Sequence, residues 1–272
     1  MSLTNSGQIS LDDIHVEAGG TSGTEAGIND SDIRALISAS SEAEMAFDDF
    51  YGASSGPSFV GAVTRTESDE QGIDSSSEAI DLVSAGVQVG DLVVIAITAD
   101  IGGYTSMSIQ GMTMTKFFDS GDNEPAALVF YGTWASGNSN PYLDGSGESA
   151  TNRLRAMSLV AAIFRGTYSN STAVNNTNGA TSGMPNPPTY GTSYLSFTVI
   201  VTGHLDDDEV TMTAPTNYTM AGTAKTNSAT RDNITGSSTG IAYRFGVSQS
   251  YADPGAFGGG GSDANNATSM RF

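Results

Sequence analysis

The chain contains no cysteine, which excludes disulfides and thiolate metal centres and leaves the redox compartment open. Basic residues are scarce as well. Ten of them against thirty acids give a net charge of −20 and a pI near 4.1, a balance that repels phosphate backbones and anionic lipid. Binding to nucleic acid and insertion into a membrane are therefore not expected. Long apolar runs are missing: the longest, LVVIAI at Leu92 to Ile97, has the length of a strand and is far too short to span a bilayer. The opening MSLTNSGQ lacks the basic and apolar regions of a signal peptide, so export by that route is not expected. Histidine occurs only at His15 and His204, which leaves a histidine-based mechanism few places to reside.

What is abundant is small and polar. Gly, Ser, Thr and Asn are frequent and hydrophobic residues make up 38%, a composition that suits short strands joined by many turns. At 272 residues the chain exceeds the usual single domain, but large all-β sandwiches reach about 200 to 250 residues as one unit. One large domain with an appendage is the expectation. The boundary falls at Gly52-Ala53-Ser54-Ser55-Gly56-Pro57, a small-residue stretch closed by proline. It divides the chain into an N-terminal segment (residues 1–52), a linker (53–57) and a main domain (58–272).

Helix punctuation marks the N-terminal segment. Ser10 followed by Asp13 is a capping signature, and Asn29 followed by Asp32 repeats it ahead of Ile33, Leu36 and Ile37. The aspartates would sit in first turns, where the macrodipole favours negative charge. Two short helices follow from this, near Leu11 to Glu17 and Ser31 to Ala39, separated by the glycine-rich loop GGTSGTEAG. The phrase MAFDDFYG at residues 45 to 52 echoes ISLDDI at residues 9 to 14, but Ala46 stands in the capping place, so a third helix loses its cap. So small a segment must bury its apolar face on a partner, on another copy, or on the rest of its own chain.

After Pro57 the pattern is that of strands, with candidates at Val60 to Thr66, Ala79 to Ser84, Asp91 to Ala99, Thr105 to Met114, Ala127 to Ala135, Ala156 to Arg165, Leu195 to His204, Val210 to Ala214, Gly240 to Val247 and Ala267 to Phe272. No stretch of helical period is long enough for crossover helices, which points to paired antiparallel sheets. The expected fold is mainly β: an antiparallel β-sandwich, jelly-roll-like, preceded by a small segment with short helices. Leu92 to Ile97 and Phe197 to Val201 are apolar on both faces, as central strands are.

Candidate chemistry is thin. Gly52 to Gly56 matches the G-x-S-x-G of a nucleophile elbow, but a proline-closed linker replaces the strand and helix that the elbow requires. His204 is followed by Asp206, Asp207, Asp208 and Glu209, with no nucleophile signature beside it. In an extended segment Asp206 and Asp208 share one face, the arrangement that makes them candidate Ca²⁺ ligands; a solvated acidic turn is the competing reading. Asp119 to Glu124 (DSGDNE) is a second such candidate. Tyr104, Trp134, Tyr142, Tyr168, Tyr190 and Tyr251 lie in or near loops, where aromatics can stack on sugars, although Trp134 at the end of an apolar strand reads as packed. No catalytic residue is assigned, and no cofactor beyond the candidate Ca²⁺.

The three phrases of the N-terminal segment, ISLDDI, INDSDIRAL and MAFDDFYGAS, resemble in order an N-terminal segment found on structural proteins of tailed bacteriophages, especially tail-fibre and appendage proteins of marine and cyanobacterial phages. GDLVVIAIT, LVAAIFRG, HLDDDEVTMTAPTNYT and STGIAYRF in the main domain are similar to a sandwich module of such proteins. The resemblance implies a non-enzymatic virion component, assembled in the host cytoplasm with other virion proteins. It would be a tail fibre or baseplate appendage, or alternatively a capsid decoration or a glycan-binding adhesin. Homo-oligomers, trimers above all, are expected of such appendages. Docking would fall to the apolar anchors Ile9, Leu11, Ile14, Ile33, Leu36, Ile37, Met45, Phe47, Phe50 and Tyr51.

Overall fold

The computed structural model describes residues 3–4, 6–37, 39–40, 43–51, 53, 57–67, 79–100, 108–119, 126–144, 155–166, 175–180, 186–187, 195–206, 211–226, 236–247, 255–259 and 265–272. Strands dominate the described chain after Pro57. One five-stranded sheet runs β1 (Ser58–Glu67), β7 (Arg155–Arg165), β2 (Leu92–Asp100), β5 (Ala126–Thr133), β4 (Thr115–Asp119), and every described pairing in it is antiparallel. The other runs β10 (Thr219–Thr226), β11 (Gly236–Val247), β9 (Leu195–Asp206), β12 (Asn265–Arg271), β8 (Asn175–Ala180). A small pair, β3 (Ser108–Gln110) with β6 (Tyr142–Asp144), stands apart. The chain thus completes one large sheet with β7 before it builds the second.

Alternation explains how the layers close. Leu92, Val94 and Ala96 of β2 face the second sheet with Val160, Ala162 and Phe164 of β7, and there they meet Ile241, Met270 and Phe272. Val93, Ile95 and Ile97 point the other way, onto Ile80, Leu82, Met112, Trp134 and Leu143. The first sheet is therefore buried on both faces, which is why LVVIAI is apolar throughout. The outer face of the second sheet has its own cover, in which Met212 and Phe257 sit over Ala242. The Thr213 amide donates to the Gly258 carbonyl at 2.8 Å and the Gly258 amide returns the bond at 3.0 Å. A Cβ on Gly259 would lie 2.4 Å from the Thr211 carbonyl oxygen, so part of the glycine run near the C-terminus exists to let these two segments touch.

The interior between the sheets is graded along the strands. At the end where β1 begins, Phe59 stacks on Tyr243 (centroids 5.0 Å apart), Phe164 meets both, and Phe272 meets Tyr131 edge-on. Burial there raises the Tyr243 phenol pKa. Small aliphatic residues fill the middle. At the far end the inward positions are Thr98, Ser158, Ser237, Thr239, Thr226, Asn266 and Thr268, all buried. Hydroxyls join the sheets there: Ser158 Oγ lies 2.8 Å from Thr239 Oγ1, the Ser237 hydroxyl donates to Ser158 Oγ at 3.0 Å, and the Thr239 hydroxyl donates to the Ser158 carbonyl at 2.9 Å.

At the aromatic end an ion pair between a buried aspartate and a half-buried arginine holds the strap over the first sheet. Asp91, 2% exposed, accepts two bonds from the Arg165 guanidinium at 2.9 and 2.8 Å and one from the Gln88 amide at 2.7 Å. Arg165 also donates to the Gly86 carbonyl at 2.9 Å. These bonds fix the turns over residues 82–90, which replace the strand expected at Ala79 to Ser84; there Ile80 and Leu82 plug the outer face. Of Thr105 to Met114, Ser108–Gln110 forms β3 and residues 105–107 lie outside the described set; of Val210 to Ala214, Thr213 forms a single bridge and Val210 lies outside it. Unforeseen are β4, β6, β8 and β10. Asn175–Ala180 (NNTNGA), rich in residues depleted from strands, is an edge strand whose partner among the described residues is β12.

Candidate docking segment

Residues 3 to 53 contain an apolar cluster of their own. Leu3, Ile14, Ile33 and Phe50 are buried in it, with Ile9, Leu11, Ala18, Ala26, Ile28, Leu36, Ile37, Met45 and Ala53 packed partly buried around them. α1 (Leu11–Glu17) supplies Ile14, α2 (Ser31–Leu36) supplies Ile33, and a 3-10 turn at Phe47–Phe50 supplies Phe50. Each of the three phrases thus contributes one fully buried side chain.

The doubled aspartate of ISLDDI has two separate jobs. Asp13 completes a capping box, accepting from the Ser10 amide at 2.7 Å while its own amide donates to Ser10 Oγ at 3.1 Å. Asp12 reaches forward into the glycine-rich loop, where it accepts from the Gly23 amide and the Ser22 hydroxyl, each at 2.8 Å. Those bonds, the Gly23 amide foremost, hold the Asp12 carboxyl below the usual aspartate pKa, and the Ser10 hydroxyl and amide do the same for Asp13. The loop is pinned a second time by His15. The Thr24 hydroxyl donates to the Thr21 carbonyl at 2.7 Å, so its oxygen accepts from His15 Nε2 at 2.9 Å. His15 Nδ1 is buried with no partner among the described residues. The ring lies against Gly20, where any Cβ would stand 2.1 Å from it.

The second phrase folds differently from the expectation. Asp30, not Asn29, is the N-cap of α2, and its carboxylate accepts from the Gly27 amide at 2.7 Å instead of capping. Asn29 Oδ1 accepts from Arg34 at 2.6 Å, and the same guanidinium donates to the carbonyls of Ser40 and Ala43. Arg34 thereby folds the chain back after Leu36 and ends the helix short of Ala39. In the third phrase the missing cap has a visible result. The Asp49 carboxylate still accepts from the Ala46 amide at 2.8 Å, but alanine offers no oxygen in return, and a 3-10 turn forms in place of an α-helix.

Two contacts close the segment on itself. The Leu3 amide donates to the Ala53 carbonyl at 2.9 Å, and the Tyr51 hydroxyl donates to the Gly7 carbonyl at 2.5 Å. No protein-family model, curated protein or solved structure matches the chain.

Against this geometry the ten expected anchors separate into groups. Ile14, Ile33 and Phe50 are interior and hold the segment together, so they do not offer a surface to anything else. Ile9, Leu11, Leu36, Ile37 and Met45 are half-buried around them. Phe47 and Tyr51, 45% and 40% exposed, face outward, joined by Val16, which sequence pattern did not single out.

The remaining candidates scatter. Asp206 ends β9 opposite Gly236, and Asp208 lies outside the described residues, as do Ser120 to Glu124 of the second acidic candidate. Among the described residues no group of three His, Asp or Glu side chains is placed to hold a metal ion. His204 pairs in register with Ser238 and Asn265 within the second sheet, while Gly52 and Ser54 to Gly56 of the elbow-like pattern lie outside the described set. Trp134 is core, Tyr142 is half-buried in β6, and Tyr104, Tyr168, Tyr190 and Tyr251 lie outside the described residues. No described helix is long and apolar enough to cross a membrane.

Proposed function

We propose that this chain is a non-enzymatic structural component of a tailed-phage virion, an appendage of the tail-fibre or baseplate type, attached through residues 1–52 and displaying the sandwich. The observation that carries the reading is the self-closed N-terminal unit. The three phrases that resemble a phage N-terminal segment each place one side chain in its small core, and the segment is bonded end to end through Ala53, the first residue of the expected linker. A unit built in this way can be joined to an unrelated displayed domain, as an attachment module needs to be. Its partners would be other virion proteins, and the appendage would be a homo-oligomer such as a trimer.

Expression of residues 56–272 beside the full chain during particle assembly tests the reading. The truncated protein should fold, by its melting transition, and be missing from purified particles. Incorporation of the folded truncation at full occupancy would overturn the attachment role. Micrographs of particles labelled at the C-terminus separate a tail position from a capsid decoration.

A further inference from the structure

Five large apolar side chains stand exposed among the described residues, and three of them, Val16, Phe47 and Tyr51, belong to the N-terminal unit although it is the smaller part of the chain. Phe47 opens the 3-10 turn and Tyr51 follows it, while Phe50 between them is fully buried. The turn is anchored by Phe50 from within, and Tyr51 is held by its bond to the Gly7 carbonyl. Two aromatic rings on a fixed turn lose little freedom when a partner covers them, the property that makes aromatics the anchors of interfaces.

Charge narrows the choice of partner. Between Met1 and Pro57 there are ten acidic residues and one arginine, and Arg34 already donates to Ser40, Ala43 and Asn29. Glu44 precedes the turn and Asp48 lies between the two exposed rings, both outward-facing. A second copy would present the same excess of negative charge, whether through its own N-terminal unit or through a sandwich with twenty acids and nine bases. Contact between copies through this turn is opposed by charge; contact with a basic protein is favoured.

We infer that the Phe47–Tyr51 turn docks into a cationic, apolar-pocketed surface of a different protein, with Phe47 and Tyr51 as anchors and Asp48 and Glu44 facing lysine or arginine at the rim. The inference names the partner chemistry for the proposed attachment segment and rests on that reading.

The probes are three synthetic helical peptides titrated calorimetrically into the full chain: an amphipathic Lys/Leu peptide, a Glu/Leu peptide with the same apolar stripe, and a Lys/Ser peptide of the same charge as the first. The Lys/Leu peptide should bind best, by about ten-fold over either control. Phe47→Ser and Asp48→Lys should each weaken it by about ten-fold, and Val89→Ser, at an exposed position of the sandwich, should not. Melting curves of the variants should match the parent, since Phe47 and Asp48 are exposed. Equal binding of the Lys/Ser peptide, indifference to Phe47→Ser, or a Phe47-dependent dimer in sedimentation would each overturn the inference. Normal assembly of Phe47→Ser into particles that exclude the 56–272 truncation would sink this inference and leave the attachment reading standing. Full incorporation of the truncation removes both.

Discussion

The Leu3 amide and the Ala53 carbonyl meet at 2.9 Å, so the two ends of the N-terminal unit are hydrogen-bonded to each other. Beside this contact the Tyr51 hydroxyl reaches back to Gly7. A unit whose described core has four buried apolar side chains, three of them fully buried, depends on such closures, because each large side chain it buries contributes only about 2 kcal/mol.

Tyr51→Phe keeps the ring and removes the bond to Gly7. The unit should lose about 1 kcal/mol of local stability. Amide exchange within residues 3–53 should accelerate accordingly, while the strands β2 and β7 exchange as before.

Ala46→Ser restores the oxygen that the third phrase lacks. With Asp49 already bonded to the residue 46 amide, the serine completes a capping box and should stabilise the turn by about 0.5 to 1 kcal/mol. Slower exchange of the Asp49 amide, together with a gain in helical circular dichroism, reads this out; unchanged exchange would show that the turn is set by packing of Phe50 alone.

Acid should loosen the loop before it reaches the sheets. Asp12 and Asp13 have pKa values lowered from 3.8 by bonds to the ionised carboxylates. A lowered folded-state value contributes stability that is complete above 3.8 and is lost as the pH falls through the lowered values. The Gly23 amide, bonded to Asp12, should therefore exchange faster below about pH 4. In Asp12→Asn that acid-dependent component should vanish.

Asp91→Ala leaves the Arg165 guanidinium without its bidentate partner and frees the Gln88 amide. Removing one member of a buried pair costs about 3 to 5 kcal/mol, and because Arg165 keeps about a third of its side chain in solvent the lower figure applies. A denaturant midpoint for the sandwich would measure it. Arg165→Met, which leaves the more deeply buried Asp91 carboxylate without its cation, should cost more than Asp91→Ala.

Strand alternation and cap spacing made much of this fold legible beforehand. α1 falls where Ser10 and Asp13 place it, and β2, β5, β7, β9 and β12 fall where apolar runs place them. What pattern could not show depends on contacts distant in the chain. The strand β8 exists because β12 offers an edge to an asparagine-rich segment, and the strap at 82–90 turns because Asp91 and Arg165, far apart in sequence, pair beneath it. Asp12 lies within the Ser10–Asp13 cap signature without a partner of its own in the pattern, and its partner is the loop. The exposure of Phe47 and Tyr51 was likewise hidden, since a run reading Phe-Asp-Asp-Phe-Tyr does not say which ring turns inward.

The graded interior has a mechanical consequence. The linker enters β1 at Ser58, which pairs with Arg165, and the next residue, Phe59, is stacked on Tyr243 and packed on Phe164. A pull transmitted along the linker would therefore meet the aromatic end of the sandwich first, where the Phe59–Phe164 rung of the β1–β7 ladder is backed by Tyr243. The hydroxyl-lined end, held by Ser158, Ser237 and Thr239, lies beyond the first rungs to bear that load. Tension entering at Ser58 would load the aromatic end of the sandwich, and β1, an edge strand of its sheet, would peel before the two sheets parted.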